Sequence, residues 1–110
     1  MNTLAAAILI LSLEKNVPAK IGLTKSTLTY MGQDGHKRPF NDGPTSLALR
    51  FLLKTGNETE DFIMSQDGIH GKPGFTYTGH EAKEFKLQIQ SYDEKHDRIN
   101  VKVWPVPHSK

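Results

Sequence analysis

The chain has 110 residues, of which 24% are charged, and a formal net charge of +2. This length is typical of a unit that buries a core of its own, so the sequence predicts a single domain over residues 1–110. The absence of cysteine excludes disulfides, thiolate catalysis and zinc sites with sulfur ligands. The apolar content is too high for a disordered chain, and the weak positive charge permits nucleic-acid binding without indicating it.

An apolar run from Leu4 to Leu13 lies near the start of the chain. Its length suits the apolar region of a signal peptide and is too short to span a membrane. No basic residue precedes the run, and Glu14 and Lys15 follow it directly, so we favour a retained buried segment and a cytoplasmic location. Secretion is the alternative if the run belongs to a signal peptide. The composition leaves a short N-terminal helix and a strand both open.

From Ile21 onward, apolar residues recur at every second position, which is the spacing of a strand with one buried face. The clearest alternating segments are Leu47 to Leu53, Phe85 to Ile89 and Ile99 to Val103, and the weaker ones are Ile21 to Leu23, Leu28 to Met31, Phe62 to Met64 and Phe75 to Tyr77. Turn-forming residues separate these segments, notably at Thr55 to Asn57 and Tyr92 to Arg98. The sequence therefore predicts an all-β fold, a sandwich or partly closed barrel of about seven short antiparallel strands.

Two segments of the chain nearly repeat each other. They are Met31-Gly-Gln-Asp-Gly-His-Lys-Arg-Pro-Phe40 and Met64-Ser-Gln-Asp-Gly-Ile-His-Gly-Lys-Pro-Gly-Phe75. Both keep the order Met, Gln-Asp-Gly, His, a basic residue, Pro and Phe. Each follows one predicted strand and precedes another, so we interpret them as matching turns in a pseudo-duplicated fold. The simpler interpretation is that Asp-Gly and Pro-Phe recur because β proteins need such turns.

The repeated segments supply the side chains that we predict to bind a ligand. An amide, a carboxylate, an imidazole and an aromatic ring in each copy are the groups expected to hold a polar ligand or a protein surface. The predicted ligand-binding residues are Gln33, Asp34, His36, Phe40, Gln66, Asp67, His70 and Phe75. Tyr77 and Trp104 are secondary aromatic anchors.

Catalytic signatures are missing from the sequence. Neither a Gly-x-Ser-x-Gly elbow nor a glycine-rich phosphate loop occurs, so we assign no catalytic residue and predict no cofactor. Histidine with aspartate can bind a divalent metal, and this question stays open. The other histidines, His80, His96 and His108, have no helical metal spacing and are expected in surface loops.

The sequence thus favours a non-enzymatic binding or assembly module that presents the paired Gln-Asp-Gly-His loops to a protein partner or a polar ligand. One alternative is a barrel that binds single-stranded nucleic acid, because basic residues flank aromatic ones at Lys37-Arg38-Pro-Phe40, Arg50-Phe51 and Phe85-Lys86. A second alternative is a metal-dependent hydrolase built on His and Asp. A third is a structural subunit that forms homo-oligomers through its edge strands.

Overall fold

The chain folds into two antiparallel β-sheets, as shown by a computed structural model that describes residues 8–37, 46–68 and 71–106. The strands in these ranges are β1 (Leu9–Glu14), β2 (Ala19–Lys20), β3 (Ser26–Lys37), β4 (Ser46–Thr55), β5 (Glu58–Asp67), β6 (Thr76–Tyr77), β7 (Gly79–Glu81), β8 (Phe85–Asp93) and β9 (Arg98–Pro105). One sheet has the order β1-β9-β8-β7 and the other β2-β3-β4-β5-β6. The predicted all-β sandwich or partly closed barrel is confirmed.

The core lies between the two sheets and is built from the alternating residues of the long strands. In β4 the odd-numbered residues from Leu47 to Leu53 are buried, and in β8 and β9 the buried residues include Leu87, Ile89 and Val101. Each such side chain stabilises the fold by roughly 1.5–3 kcal/mol relative to full exposure. The period-two pattern therefore identified the inward faces of these three strands correctly.

Tight hairpins connect the strongest strands, as predicted. Between β4 and β5 the pair Thr55 and Glu58 encloses a two-residue turn, in which Gly56 has a φ of 61°. A positive φ at the first of two turn residues matches the right-handed twist of the flanking strands. Between β8 and β9 the pair Asp93 and Arg98 encloses a four-residue loop that ends at Asp97, with a φ of 54°.

The two sheets join along one side through a strand that bends at Thr78. The Thr78 N–H donates to the Ser65 carbonyl at 2.9 Å, and the Thr78 carbonyl accepts from the Ile89 N–H at 3.5 Å. The chain therefore pairs with β5 before the bend, as β6, and with β8 after it, as β7. Gly79 permits this passage, because a Cβ atom there would lie 2.7 Å from the Leu87 carbonyl oxygen. This seam gives the sandwich the character of a half-barrel.

On the opposite side, β1 runs alongside β3. Lys15 forms a parallel bridge with Tyr30, and the Asn16 N–H donates to the Tyr30 carbonyl at 2.7 Å. Asn16 adopts a φ of 66°, a left-handed conformation that asparagine tolerates better than most residues. This contact brings the chain from the first sheet across to β2 in the second sheet.

Several finer predictions need correction. The end of the N-terminal apolar run is a strand, β1, so the short helix is wrong for the described part of the run, and residues 1–7 lie outside the described ranges. The predicted strand at Ile21 to Leu23 is a turn, in which the Thr24 N–H donates to the Ile21 carbonyl at 3.0 Å. About seven strands were predicted, whereas the described ranges contain nine. The segment Ile21 to Leu23 is not a strand, the N-terminal run, for which helix and strand were both open, forms β1, and β2 and β7 were too short, at two and three residues, to show an alternating pattern. The described ranges hold no helix of the length and apolarity needed to cross a membrane.

Candidate functional site

The first repeated segment lies inside strand β3. Its pairing with β4 skips two residues, Met31 and Asp34, which form β-bulges. A bulge re-aims side chains and bends the strand, and both of these residues are exposed. Gly32 beside the first bulge has a φ of 107°, and a Cβ atom there would lie 2.9 Å from the Cε of Lys15. The predicted Asp-Gly turn is therefore wrong for this copy, because the ladder with β4 continues to Lys37.

Gln33 joins a hydrogen-bond network at the end of the sandwich interior. Its Nε2 donates to the Tyr92 hydroxyl at 2.8 Å. The hydroxyls of Tyr30 and Tyr92 both donate to Oδ1 of Asp97, at 2.6 and 2.7 Å. Burial, together with the hydrogen bond to Asp97, raises the pKa of Tyr30 far above its usual value, and burial also raises the pKa of Tyr92. Both tyrosines therefore remain protonated donors at neutral pH and hold the β8–β9 loop through Asp97.

Asp34 lies on the outer face of the same sheet, beside a charged pair. Arg50 binds Asp61 with two hydrogen bonds, of 3.0 and 2.9 Å, and its other terminal nitrogen is 3.9 Å from the Asp34 carboxylate. The hydrogen bonds with Arg50 hold the pKa of Asp61 below its usual range, and they raise the pKa of Arg50 in turn. Because Arg50 is largely engaged by Asp61, the Asp34 carboxylate is only weakly paired, in a shallow depression between β3 and β5.

The second repeated segment ends strand β5. Gln66 pairs with Leu47 on one side and with Tyr77 on the other, and Asp67 is the last residue of the strand. The Asp67 carboxylate accepts a hydrogen bond from the Ser65 hydroxyl at 3.0 Å. Gly68 follows with a φ of 88°, so here the Asp-Gly pair does leave the ladder, as predicted. The two copies therefore have the same sequence order in unlike backbone surroundings.

The two segments nevertheless lie on either side of β4 and point in the same direction. His36 pairs with Leu47, which pairs with Gln66, and one step further Lys37, Ser46 and Asp67 form a row across three strands. Adjacent strands are about 4.8 Å apart, so the Cα atoms of Lys37 and Asp67 are roughly 10 Å apart. The connections that follow β3 and β5 therefore leave the sheet at neighbouring positions. Among the described residues, no hydrogen bond or ion pair joins the two segments.

The structure describes only part of the predicted ligand set. Phe40 and His70 lie outside the described ranges, and His36 is placed by its backbone alone. Phe75 is half-buried and packs edge-on against Tyr77, with ring centroids 5.0 Å apart. Trp104, the other predicted anchor, lies on β9 opposite Lys86, on the far sheet. The two secondary anchors therefore belong to different surfaces.

Sequence reasoning missed the Tyr30–Tyr92–Asp97 network. The sequence placed Asp97 only within the turn-forming segment Tyr92 to Arg98, whereas in the structure its carboxylate accepts both tyrosine hydroxyls and it is half-buried. No local pattern signals this contact, because Tyr30 and Asp97 are 67 residues apart in the chain.

The histidines outside the repeat have unlike environments. His80 is not a loop residue, since it lies in β7, stacks on Phe62 with centroids 3.9 Å apart and contacts Glu60 at 2.7 Å. His96 is exposed in the β8–β9 loop, as predicted, and hydrogen-bonds Asp93, whose pKa it lowers. His108 lies outside the described ranges. Within the described residues, no group of three or more histidines and carboxylates is arranged to hold a metal ion.

Comparison of the chain with models of known protein families, with curated protein sequences and with solved structures gives no match.

Proposed function

We propose that the protein is a non-enzymatic binding or assembly module whose two Gln-Asp-Gly-His segments act together on a protein partner or a polar ligand. The observation that carries this proposal is the row formed by Lys37, Ser46 and Asp67, which starts both connections at one end of the five-stranded sheet. Loops held by a rigid sheet are common sites of recognition. A weakly paired carboxylate, Asp34, lies next to the same region.

Hydrogen bonds between the two sheets hold β3 in place near this end of the five-stranded sheet. Gln33 reaches across to Tyr92 of the opposite sheet, and Tyr30 and Tyr92 fix Asp97 in the neighbouring loop. Such cross-sheet hydrogen bonds limit movement of β3 where the first segment begins. A binding site with a preordered base loses less conformational entropy on association.

The test uses a glycan array and a displayed peptide library, which represent the two kinds of ligand in the proposal. Ligands retained by the protein are measured again with the double variant His36→Ala and His70→Ala. We expect about a tenfold loss of affinity, equivalent to about 1.4 kcal/mol. The matched control is Glu94→Ala, an exposed residue of the β8–β9 loop, which should leave affinity unchanged. Ligands that bind the double variant as tightly as the unchanged protein would contradict the proposal.

A second candidate function, binding of single-stranded nucleic acid, is favoured by one feature of the other sheet. Trp104 is half-buried on β9, faces Lys86 across the ladder, and lies two residues from Lys102. An aromatic residue with lysines at neighbouring strand positions suits a base and its phosphates, and stacking contributes about 1–3 kcal/mol per base. In this case a fluorescent oligothymidylate should bind with an affinity that falls steeply with salt and is reduced by Trp104→Ala. Lys54→Ala, in β4 of the five-stranded sheet, serves as the control.

A further inference from the structure

Strand β1 forms an edge unlike the other sheet edges in the described part of the chain. It has six residues and pairs with β9 in unbroken register, whereas β2 and β6 have two residues each and β7 has three. The outer edge of β3 is interrupted by bulges at Met31 and Asp34. Proteins protect exposed edges with short strands, bulges, charges or proline. From Leu9 to Leu13, β1 has none of these devices.

Several apolar side chains at the start of β1 are also exposed to solvent. Ile8, Leu9 and Ile10 are 56%, 38% and 48% exposed. Leu9 is on the same side of the strand as the buried Leu13, because side chains alternate, yet it is covered only in part, near Gly22. The core is therefore incompletely closed along this edge, and apolar groups are exposed on both faces of the strand.

We propose that the free edge of β1 binds the β1 strand of a second copy of the chain, antiparallel, and so joins two four-stranded sheets into one. Within the described ranges no strand pairs with this edge from Leu9 to Leu13, and an edge with uncharged side chains suits a strand of the same character, which β1 itself supplies. Pairing about a two-fold axis at Ile10 places the two Ile10 side chains together and each Leu9 opposite Leu11 of the other copy. It also keeps the two Glu14 carboxylates at opposite ends of the contact.

This interface is independent of the proposed binding end. Leu9 lies beside Gly22, shortly before β3 begins, whereas the repeated segments lie toward the end of β3 and of β5. The proposed contact through β1 includes none of the described residues of those segments. The two proposals can therefore fail separately, since one is measured as mass and the other as ligand affinity.

Cysteine cross-linking tests the contact directly, because the natural chain contains no cysteine. Paired residues of antiparallel strands have Cα atoms about 4.5–5.5 Å apart, which is within the range that a disulfide bridges. Under mild oxidation, Ile10→Cys should form a covalent dimer much faster than Ile63→Cys, whose native side chain is similarly exposed, at 40% against 48%, but lies in β5 of the other sheet. Equal cross-linking rates for the two variants would overturn the proposal.

Introducing a charge at position 10 supplies a second test that does not depend on oxidation. Light scattering should give a dimer for the unchanged chain and for the control Ile63→Glu in β5, and a monomer for Ile10→Lys and for Ile10→Glu when each is alone. Mixing the last two variants should restore the dimer, because opposite charges then face each other. The proposal would be overturned if the unchanged chain is a monomer, if Ile10→Lys or Ile10→Glu alone is still a dimer, or if the mixture of the two stays monomeric. A dimer that survives would indicate a different interface.

Discussion

The hydroxyl of Tyr30 offers the sharpest test of how the two sheets are held together. Tyr30 is fully buried, and its hydroxyl donates to the Asp97 carboxylate at 2.6 Å. Tyr30→Phe keeps the ring, which packs against Phe51 with centroids 5.5 Å apart, and removes only this donor. A hydrogen bond to a charged group contributes about 1.5–3 kcal/mol, so we expect the free energy of unfolding to fall by about 2 kcal/mol.

Urea unfolding, followed by circular dichroism, measures this loss. With a slope of about 1.5 kcal/mol per molar urea, the midpoint should fall by about 1.3 M while the slope stays constant. Tyr77→Phe is the matched control, because its hydroxyl accepts a longer hydrogen bond, of 3.3 Å, from the Tyr92 N–H. It should cost less than about 1 kcal/mol. A midpoint for Tyr30→Phe within error of the unchanged chain would show that the hydrogen bond from Tyr30 to Asp97 does not stabilise the fold.

Two further predictions concern pH and backbone fit. The pKa values of Tyr30 and Tyr92 are higher in the folded chain than in the unfolded chain, so above about pH 10 the unfolded chain releases protons that the folded chain keeps. The stability that these tyrosines contribute is therefore complete below that pH and is lost as the pH rises. The free energy of unfolding, measured at increasing alkaline pH, should show this fall. Tyr30→Phe should reduce the slope of the fall by up to about 1.4 kcal/mol per pH unit, and an unchanged slope would contradict the raised pKa of Tyr30. Gly79→Ala forces a Cβ to within 2.7 Å of the Leu87 carbonyl oxygen and should destabilise the fold by about 2 kcal/mol or more. Gly56 has a φ of 61° and open space around it, so Gly56→Ala should cost only about 1–2 kcal/mol. Thermal unfolding that shows a greater loss of stability for Gly56→Ala than for Gly79→Ala would refute the bend at Thr78.

The sequence predicted the inward faces of the long strands because burial on one side of a strand imposes a period of two. Leu49 and Val101 illustrate this, since both are fully buried at positions that the alternation marked. The weaker alternation from Phe75 to Tyr77 predicted the short strand β6, whereas β7 could not be predicted in this way. The passage from β6 to β7 is set by the bend at Thr78 and by its hydrogen bonds to Ser65 and Ile89, which are distant in sequence.

The candidate site was less predictable, because equal sequence order does not impose equal backbone geometry. The first Gln-Asp-Gly continues in a bulged ladder, since β4 extends alongside it to Ser46. The second leaves the ladder at Gly68, where the partner strand ends. The placement of both segments beside β4 depends on strand order, which no single segment encodes. Whether the two segments share a ligand stays a prediction.

The central claim is that the two repeated segments form one binding end, and the distance between positions 36 and 70 tests it most directly. Because the chain has no cysteine, His36→Cys and His70→Cys can be combined and labelled with nitroxides. Since Lys37 and Asp67 are about two strand spacings apart, roughly 10 Å, we expect strong dipolar broadening in the doubly labelled protein and none in either single variant. Spectra of the double variant that equal the sum of the two single ones would place the segments too far apart to act together.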